Sequence, residues 1–217
     1  MDWHSRTAEA VCEAVETTRA GLTPQEAAER RATVGPNEIT GDHGRGPLKI
    51  FLAQFSSALI WVLIVAAALS FAIGHLVDAV LIAIILLANG LFGFVQEYRA
   101  EQSLDSLRAM AAPEVRVRRD GEEATVSATE LVPGDVVLLT QGDVVPADAR
   151  LLEAQNLEID EAALTGESVP VPKEIEPIDA ETPLAERSNM VYKGTNVTRG
   201  HAVAVVVETG MDTEMGE

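Results

Sequence analysis

The sequence predicts an α+β membrane protein: a pair of N-terminal helices, a two-helix transmembrane hairpin, and a β-rich, jelly-roll-like domain. Three observations carry that reading. Ile50 to Gly74 and Ala79 to Gln96 contain no Asp, Glu, Lys or Arg. Ahead of them, apolar residues recur at helical spacing between helix-boundary residues. From Glu114 onward the pattern changes to short apolar runs separated by Gly, Pro and Asp.

Residues 1–47 read as a cytosolic helical region. Thr7 to Arg19 is expected to be one helix, with Ala8, Val11, Ala14, Val15 and Thr18 along one face and Gly21 as its breaker. Thr23-Pro24-Gln25-Glu26 then fits a capping box, with Thr at the cap, Pro at the first helical position and Glu at the third. Ala27, Ala28 and Ala32 continue this second helix until Gly35-Pro36 ends it.

Residues 48–96 read as the hairpin, with spans at about 54–74 and 77–96 and a tight turn at Gly74-His75. A bilayer core needs about 20 mostly apolar residues per helix. The stretch starts too late and is too long for a signal peptide. Arg45 and Lys49 flank the first span and Arg99 follows the second, while the turn carries Asp78 and no Lys or Arg. The positive-inside bias therefore puts both termini in the cytosol, in a multi-pass protein of the cell membrane with lipid as its partner. Asn89, Gly90 and Gly93 lie mid-span, where small residues let helices pack closely. Residues 97–113 continue as a cytosolic helical linker, with Leu104 and Leu107 one turn apart and Pro113 beyond its end.

Residues 114–217 read as the β domain. Val115 and Val117 alternate with charged neighbours, and Asp120-Gly121 is a strong hairpin turn. Val136 to Leu139, Arg150 to Glu153, Met190 to Val197 and Ala202 to Glu208 are further expected strands. Pro133-Gly134-Asp135 and Pro146-Ala147-Asp148 stand between them as turns, and residues 174–187 read as an acidic surface loop.

Composition narrows the function. One cysteine, Cys12, excludes an internal disulfide framework, and four scattered histidines exclude a Cys/His zinc site. The formal net charge of −18 argues against a nucleic-acid partner. The imbalance is concentrated at the end, where residues 97–217 hold 25 acids and 10 bases. Of all the bases, 13 are Arg and only 3 are Lys. Acid excess with few lysines is the pattern expected of a halophile's protein, whose carboxylates stay hydrated in high salt.

The stretch densest in chemistry runs from Leu131 to Lys173. At its centre Thr165-Gly166-Glu167-Ser168 presents one carboxylate between a glycine and a hydroxyl. A carboxylate so placed can orient a water or accept its proton. The chain has no phosphate-cradling Gly-rich loop and no Ser/His/Asp set at suggestive spacing. Read alone, an arbitrary Gly-Glu-Ser is far better explained as a solvated acid in a turn.

Taken together, these residues resemble the N-terminal quarter of a P-type cation-transporting ATPase of type II, over nearly the whole chain. Thr165-Gly166-Glu167-Ser168 matches the TGES signature of that family's actuator domain. Leu131-Val132-Pro133-Gly134-Asp135, Gly142-Asp143-Val144-Val145-Pro146-Ala147-Asp148 and Lys193-Gly194-Thr195 match its other signatures. Gly21-Leu22-Thr23 through Gly35-Pro36-Asn37-Glu38 looks like the N-terminal region of the type II pumps, and Gln96-Glu97-Tyr98-Arg99-Ala100-Glu101 looks most like calcium pumps.

The resemblance implies that residues 114–217 are an actuator domain, which rotates so that Glu167 positions the water that hydrolyses an aspartyl phosphate made elsewhere in the pump. Gly166 would admit close approach to the phosphate, and Thr165 and Ser168 would be supporting polar contacts. Ala162 departs from the serine common at its position. The phosphorylation motif, the nucleotide-binding domain and the later ion-binding helices have no counterpart here, so the chain is expected to be a truncated or split product that is inactive alone. ATP and Mg²⁺ are expected only for the complete pump, as are the transported cation and the remaining domains as partners. The alternative is a non-catalytic, membrane-anchored β module that binds or regulates a partner protein.

Overall fold

In the computed structural model, residues 2–39, 47–110, 113–166 and 169–216 are described. They form two compact units, Met1–Thr40 with Ala112–Glu217, and Gly41–Ala111.

The first unit is built on an antiparallel sheet of seven strands: β1 (Glu114–Arg119), β2 (Glu122–Ser127), β3 (Val136–Thr140), β4 (Asp148–Asp160), β5 (Val171–Pro172), β6 (Met190–Val191) and β7 (Asn196–Glu208). The path runs β2-β1-β3-β7-β4-β5, with β6 paired to β4. The β-rich domain expected from the sequence is present, and its strands form one continuous antiparallel hydrogen-bonded path whose long β4–β7 pair bends at register shifts. The β1–β2 hairpin turns on Asp120 and Gly121, at φ 54° and 80°, the conformation that favours this dipeptide.

Both faces of the central strands are buried. On β7, Ala202, Ala204 and Val206 join a core with Val117, Val137, Leu139 and Leu151. Val205 and Val207 point the other way, into a second core with Val136 and Leu152. Two buried faces explain why the run Ala202–Val207 carries no polar residue.

One expected strand is divided. The sequence pattern predicts a single strand over 190–197, but β6 ends at Val191 and β7 begins at Asn196. Between them Thr195 N–H donates back to Tyr192 O, and Gly194 N–H donates to Val145 O at 2.9 Å. The chain thereby turns at Lys193-Gly194, moving from the edge of β4 to the centre of the sheet.

The N-terminal residues, expected to form a region of their own, pack in the same unit as the sheet. Helix α1 (Ala8–Ala14) and the residue after it lay Val11, Cys12 and Val15 on the second core, beside Trp3 and Tyr192. Arg150 is wholly buried and donates to the carbonyls of Arg6, Leu151, Ile175 and Asn189, tying the N-terminal segment and the 174–187 loop to β4. Burial lowers its pKa to about 10, so it remains charged at neutral pH.

Helix α1 ends at Ala14, short of the Arg19 that its pattern suggests. Glu16 takes a left-handed φ of 52°. Arg30, on helix α2 (Pro24–Val34), donates to the carbonyls of Val15 and Glu16 that the helix leaves open, and also to Pro133 O. The capping box of α2 forms as expected: Glu26 N–H donates to Thr23 Oγ1 at 3.2 Å, and Thr23 N–H donates to the Glu26 carboxylate at 2.8 Å.

The second unit contains α3 (Pro47–Ala53), a 3-10 turn at Gln54–Ser56, α4 (Ala58–Ala72) and α5 (Leu76–Met110). The second apolar stretch and the helical linker are one helix of 35 residues, about 50 Å long. Its Leu76–Ala100 part is long and apolar enough to cross a membrane. The first stretch departs from the continuous span expected over 54–74. Ile50–Ser56 and Ile60–Ala72 meet at 73°, because Ser57 is extended and the helical ladder breaks there. A Cβ on Gly90 would lie 2.8 Å from the Phe55 ring, and one on Gly93 would collide with the Gln54 amide. The two mid-span glycines therefore seat the break.

Candidate functional site

The Thr165-Gly166-Glu167-Ser168 loop grows out of paired strands. β4 and β5 pair at Glu158 with Pro172 and at Ile159 with Val171. Beyond β4, the Asp160 carboxylate accepts the Ala162 N–H at 3.0 Å, and helix α6 (Ala162–Thr165) makes a single turn. Glu161 O accepts Thr165 N–H at 3.0 Å and the Thr165 hydroxyl at 3.2 Å. Gly166 ends the turn at φ 75° and ψ 0°, with its N–H on Ala162 O. This left-handed conformation favours glycine over any side-chain-bearing residue. A Cβ there would meet nothing within 4 Å, so the loop presents this point to open space. Val169 on the far side is 73% exposed. Of the four residues singled out in the sequence, Thr165 and Gly166 are thus placed on one exposed turn, while Glu167 and Ser168 lie outside the described residues.

Beneath the turn is a feature that the sequence pattern does not signal. Glu161 and Lys173 are both buried and form an ion pair, Lys173 Nζ standing 2.6 Å from Glu161 Oε1. Lys173 Nζ also donates to Arg187 O at 3.3 Å and stands 6.0 Å above the Tyr192 ring. Burial pushes the Glu161 pKa up and that of Lys173 down, each opposed by the partner's charge. In so acidic a chain one more Glu gives no signal; the signal available is Lys173, one of only three lysines.

The other quoted motifs converge at a second place. Asn37 is buried, and its amide donates to Ala128 O at 3.0 Å and Pro146 O at 2.8 Å. Its Oδ1 accepts Lys193 Nζ at 2.6 Å and Gly210 N–H at 2.9 Å. Asp148 accepts the backbone N–H of Lys193 and of Glu214, each at 2.8 Å. Residues 36–38 and 209–214 are therefore joined across the sheet by Asn37, Lys193 and Asp148. Burial raises the Asp148 pKa to about 6, against the two donated hydrogen bonds and with Glu208 and Glu214 nearby. In the Leu131–Asp135 motif, the buried Asp135 takes both ends of Arg119 at 2.8 Å and caps Val132 N–H at 3.0 Å. These motifs hold the domain together; the loop is the part that faces outward. Among the described residues, no group of three or more His, Cys, Asp or Glu is placed to hold a metal ion.

Two family profiles match the chain: the P-type ATPase actuator domain over residues 109–217, and the N-terminus of cation transporters and ATPases over residues 3–70. The chain is 43% identical over 219 residues to a calcium-transporting ATPase of Bacillus subtilis, covering 100% of the chain and 25% of that protein. It is 44% identical over 197 residues to a probable cation-transporting ATPase F of Mycobacterium tuberculosis, covering 91% of the chain and 22% of that protein. A sodium/potassium exporting P-type ATPase of Schizosaccharomyces pombe is 43% identical over 199 residues, with 90% and 19% covered. The chain spans about a quarter or less of the length of these relatives.

Proposed function

Since the chain belongs to the P-type ATPases and comprises their N-terminal and actuator domains, we propose that its Thr165–Ser168 loop serves the dephosphorylation step of a cation pump. Glu167 orients or deprotonates the water that attacks an aspartyl phosphate held by another domain of the pump. Gly166 allows close approach of that group, and Thr165 and Ser168 steady the turn. The observation that carries this reading is the exposed left-handed turn at Gly166, anchored from below by β4, β5 and Glu161.

In this reading the Gly41–Ala111 unit is a membrane hairpin in contact with lipid. α5 supplies one span, and the bent Ile50–Ser56 and Ile60–Ala72 pair supplies the other. Arg45, Lys49 and Arg99 lie on the cytosolic side, so both ends of the chain are cytoplasmic. The remaining domains of the pump, in cis, hold ATP with Mg²⁺ and carry the phosphorylated aspartate. Calcium is the cargo the similarity favours, since relatives from Bacillus subtilis and Listeria monocytogenes are named calcium-transporting ATPases.

The test is Glu167→Gln in the complete pump. It keeps size and removes the base, so phosphorylation by ATP should proceed while phosphoenzyme decay slows by about 10²–10⁴-fold. Acid-quenched, labelled phosphoenzyme followed over time reads this directly. Decay at the unmodified rate in a folded variant would sink the assignment.

A further inference from the structure

We propose that Glu161 and Lys173 are positioning residues for the Thr165–Ser168 loop, a charged clasp at the loop's neck that fixes where Glu167 is presented. The proposal rests on the dephosphorylation reading of that loop and deepens it.

Placement is the first argument. β4 ends at Asp160 and β5 at Pro172. Glu161 is the first residue of the loop that leads from β4 to the start of β5 at Val171, and Lys173 directly follows β5, so the ion pair ties the loop's first residue back across β5, beside the strand pairing of Glu158 with Pro172. Lys173 N–H also donates to Leu157 O at 2.9 Å, which holds the returning chain in register.

The second argument is that stability alone does not explain the pair. Both side chains are 1% exposed. Removing two charges from water costs more than an imperfectly satisfied pair returns, and an apolar pair of similar volume is often as stable or more so. This pair is imperfectly satisfied, because Glu161 Oε2 has no hydrogen-bond partner among the described residues. What an ion pair adds over two leucines is direction: the carboxylate is drawn to one ammonium at one place.

The third argument is the route from the clasp to the loop. The backbone carbonyl of Glu161 accepts both the N–H and the hydroxyl of Thr165 and also the N–H of Leu164. Ala162, next in the chain, accepts the Gly166 N–H. A displaced Glu161 therefore moves the whole turn that precedes Glu167. Misplacing a catalytic group by about 1 Å can cost on the order of 10²-fold in rate.

The experiment compares three forms of the complete pump: unmodified, Glu167→Gln, and the double variant Glu161→Leu with Lys173→Leu. The double variant should melt no lower than the unmodified pump and accept phosphate from ATP at the same rate, yet its phosphoenzyme should decay about 10- to 100-fold more slowly. Unmodified decay in the double variant, with Glu167→Gln slow, overturns the clasp and leaves the loop's role standing. Unmodified decay in Glu167→Gln overturns both. A second readout is independent of turnover and of the double variant's folding. In the 217-residue chain, Glu161→Gln should speed hydrogen exchange at the Thr165 and Gly166 amides by about tenfold or more, leaving Ala204 and Val206 protected. Unchanged exchange at Thr165 and Gly166 overturns the proposal.

Discussion

Leu151 and Leu87 are the same residue type in the two compact units, with opposite surroundings. Leu151 on β4 is 0% exposed and surrounded by the valines and alanines of the sheet. Leu87 on α5 is 63% exposed, in company with Ile84, Ile85, Leu91 and Phe92. Charge is distributed the other way round. The sheet unit buries Arg150, Asp148, Asp135 and the Glu161–Lys173 pair, whereas α5 holds no charge between Ala79 and Gln96. One unit uses water to drive apolar groups inward. The other offers its apolar groups outward, which is stable only where the surroundings are themselves apolar. A buried charge marks a purpose in the first unit; in the second a surface charge would do so.

The comparison can be broken at the leucines. Leu151→Ala should cost the sheet unit about 2–5 kcal/mol in chemical unfolding. Leu87→Ala, which leaves no enclosed cavity, should change hairpin insertion by under about 1 kcal/mol. Equal effects at the two sites would mean that Leu87 is part of an enclosed core.

Arginine gives the reverse pattern. Leu87→Arg should lower membrane insertion by about 3–4 kcal/mol in a glycosylation-reporter assay. Val144→Arg, at a 52% exposed site of the sheet unit, should stay within about ±0.5 kcal/mol. Efficient insertion of Leu87→Arg would remove the case for α5 as a span.

Asp148 sharpens the comparison through its dependence on pH. Its folded pKa of about 6 lies above the ordinary value of 3.8. The folded state thus binds the proton more tightly than the unfolded chain. The stabilisation is complete below pH 3.8 and is lost as pH rises through about 6, amounting to at most about 3 kcal/mol. The Lys193 and Glu214 amides, which donate to this carboxylate, should shift in NMR titration with a midpoint near 6. A midpoint near the ordinary aspartate value, about 4, would show that Asp148 is better solvated than its burial implies.

What could be read from the sequence was local, or depended on exclusion of charge. The capping box of Thr23 and Glu26, the Asp120-Gly121 hairpin, the turn at Gly74 and the helix over the second uncharged stretch each depend on residues close in the chain, and each forms as read. Of the four loop residues singled out in the sequence, Thr165 and Gly166 stand on one turn closed by the Glu161 and Ala162 carbonyls. The tertiary structure decided the rest. α1 ends at Ala14, with Arg30 from another helix taking the carbonyls of Val15 and Glu16. The first apolar stretch breaks at Ser57, with Phe55 and Gln54 against Gly90 and Gly93, a contact between residues far apart in the chain. Residues 190–197 divide because Lys193 must reach Asn37 and Asp148 while its neighbours join different stretches of the sheet. The Glu161–Lys173 pair was invisible for the same reason: a carboxylate among 34 acids acquires meaning only when folding removes its water and leaves it a single ammonium.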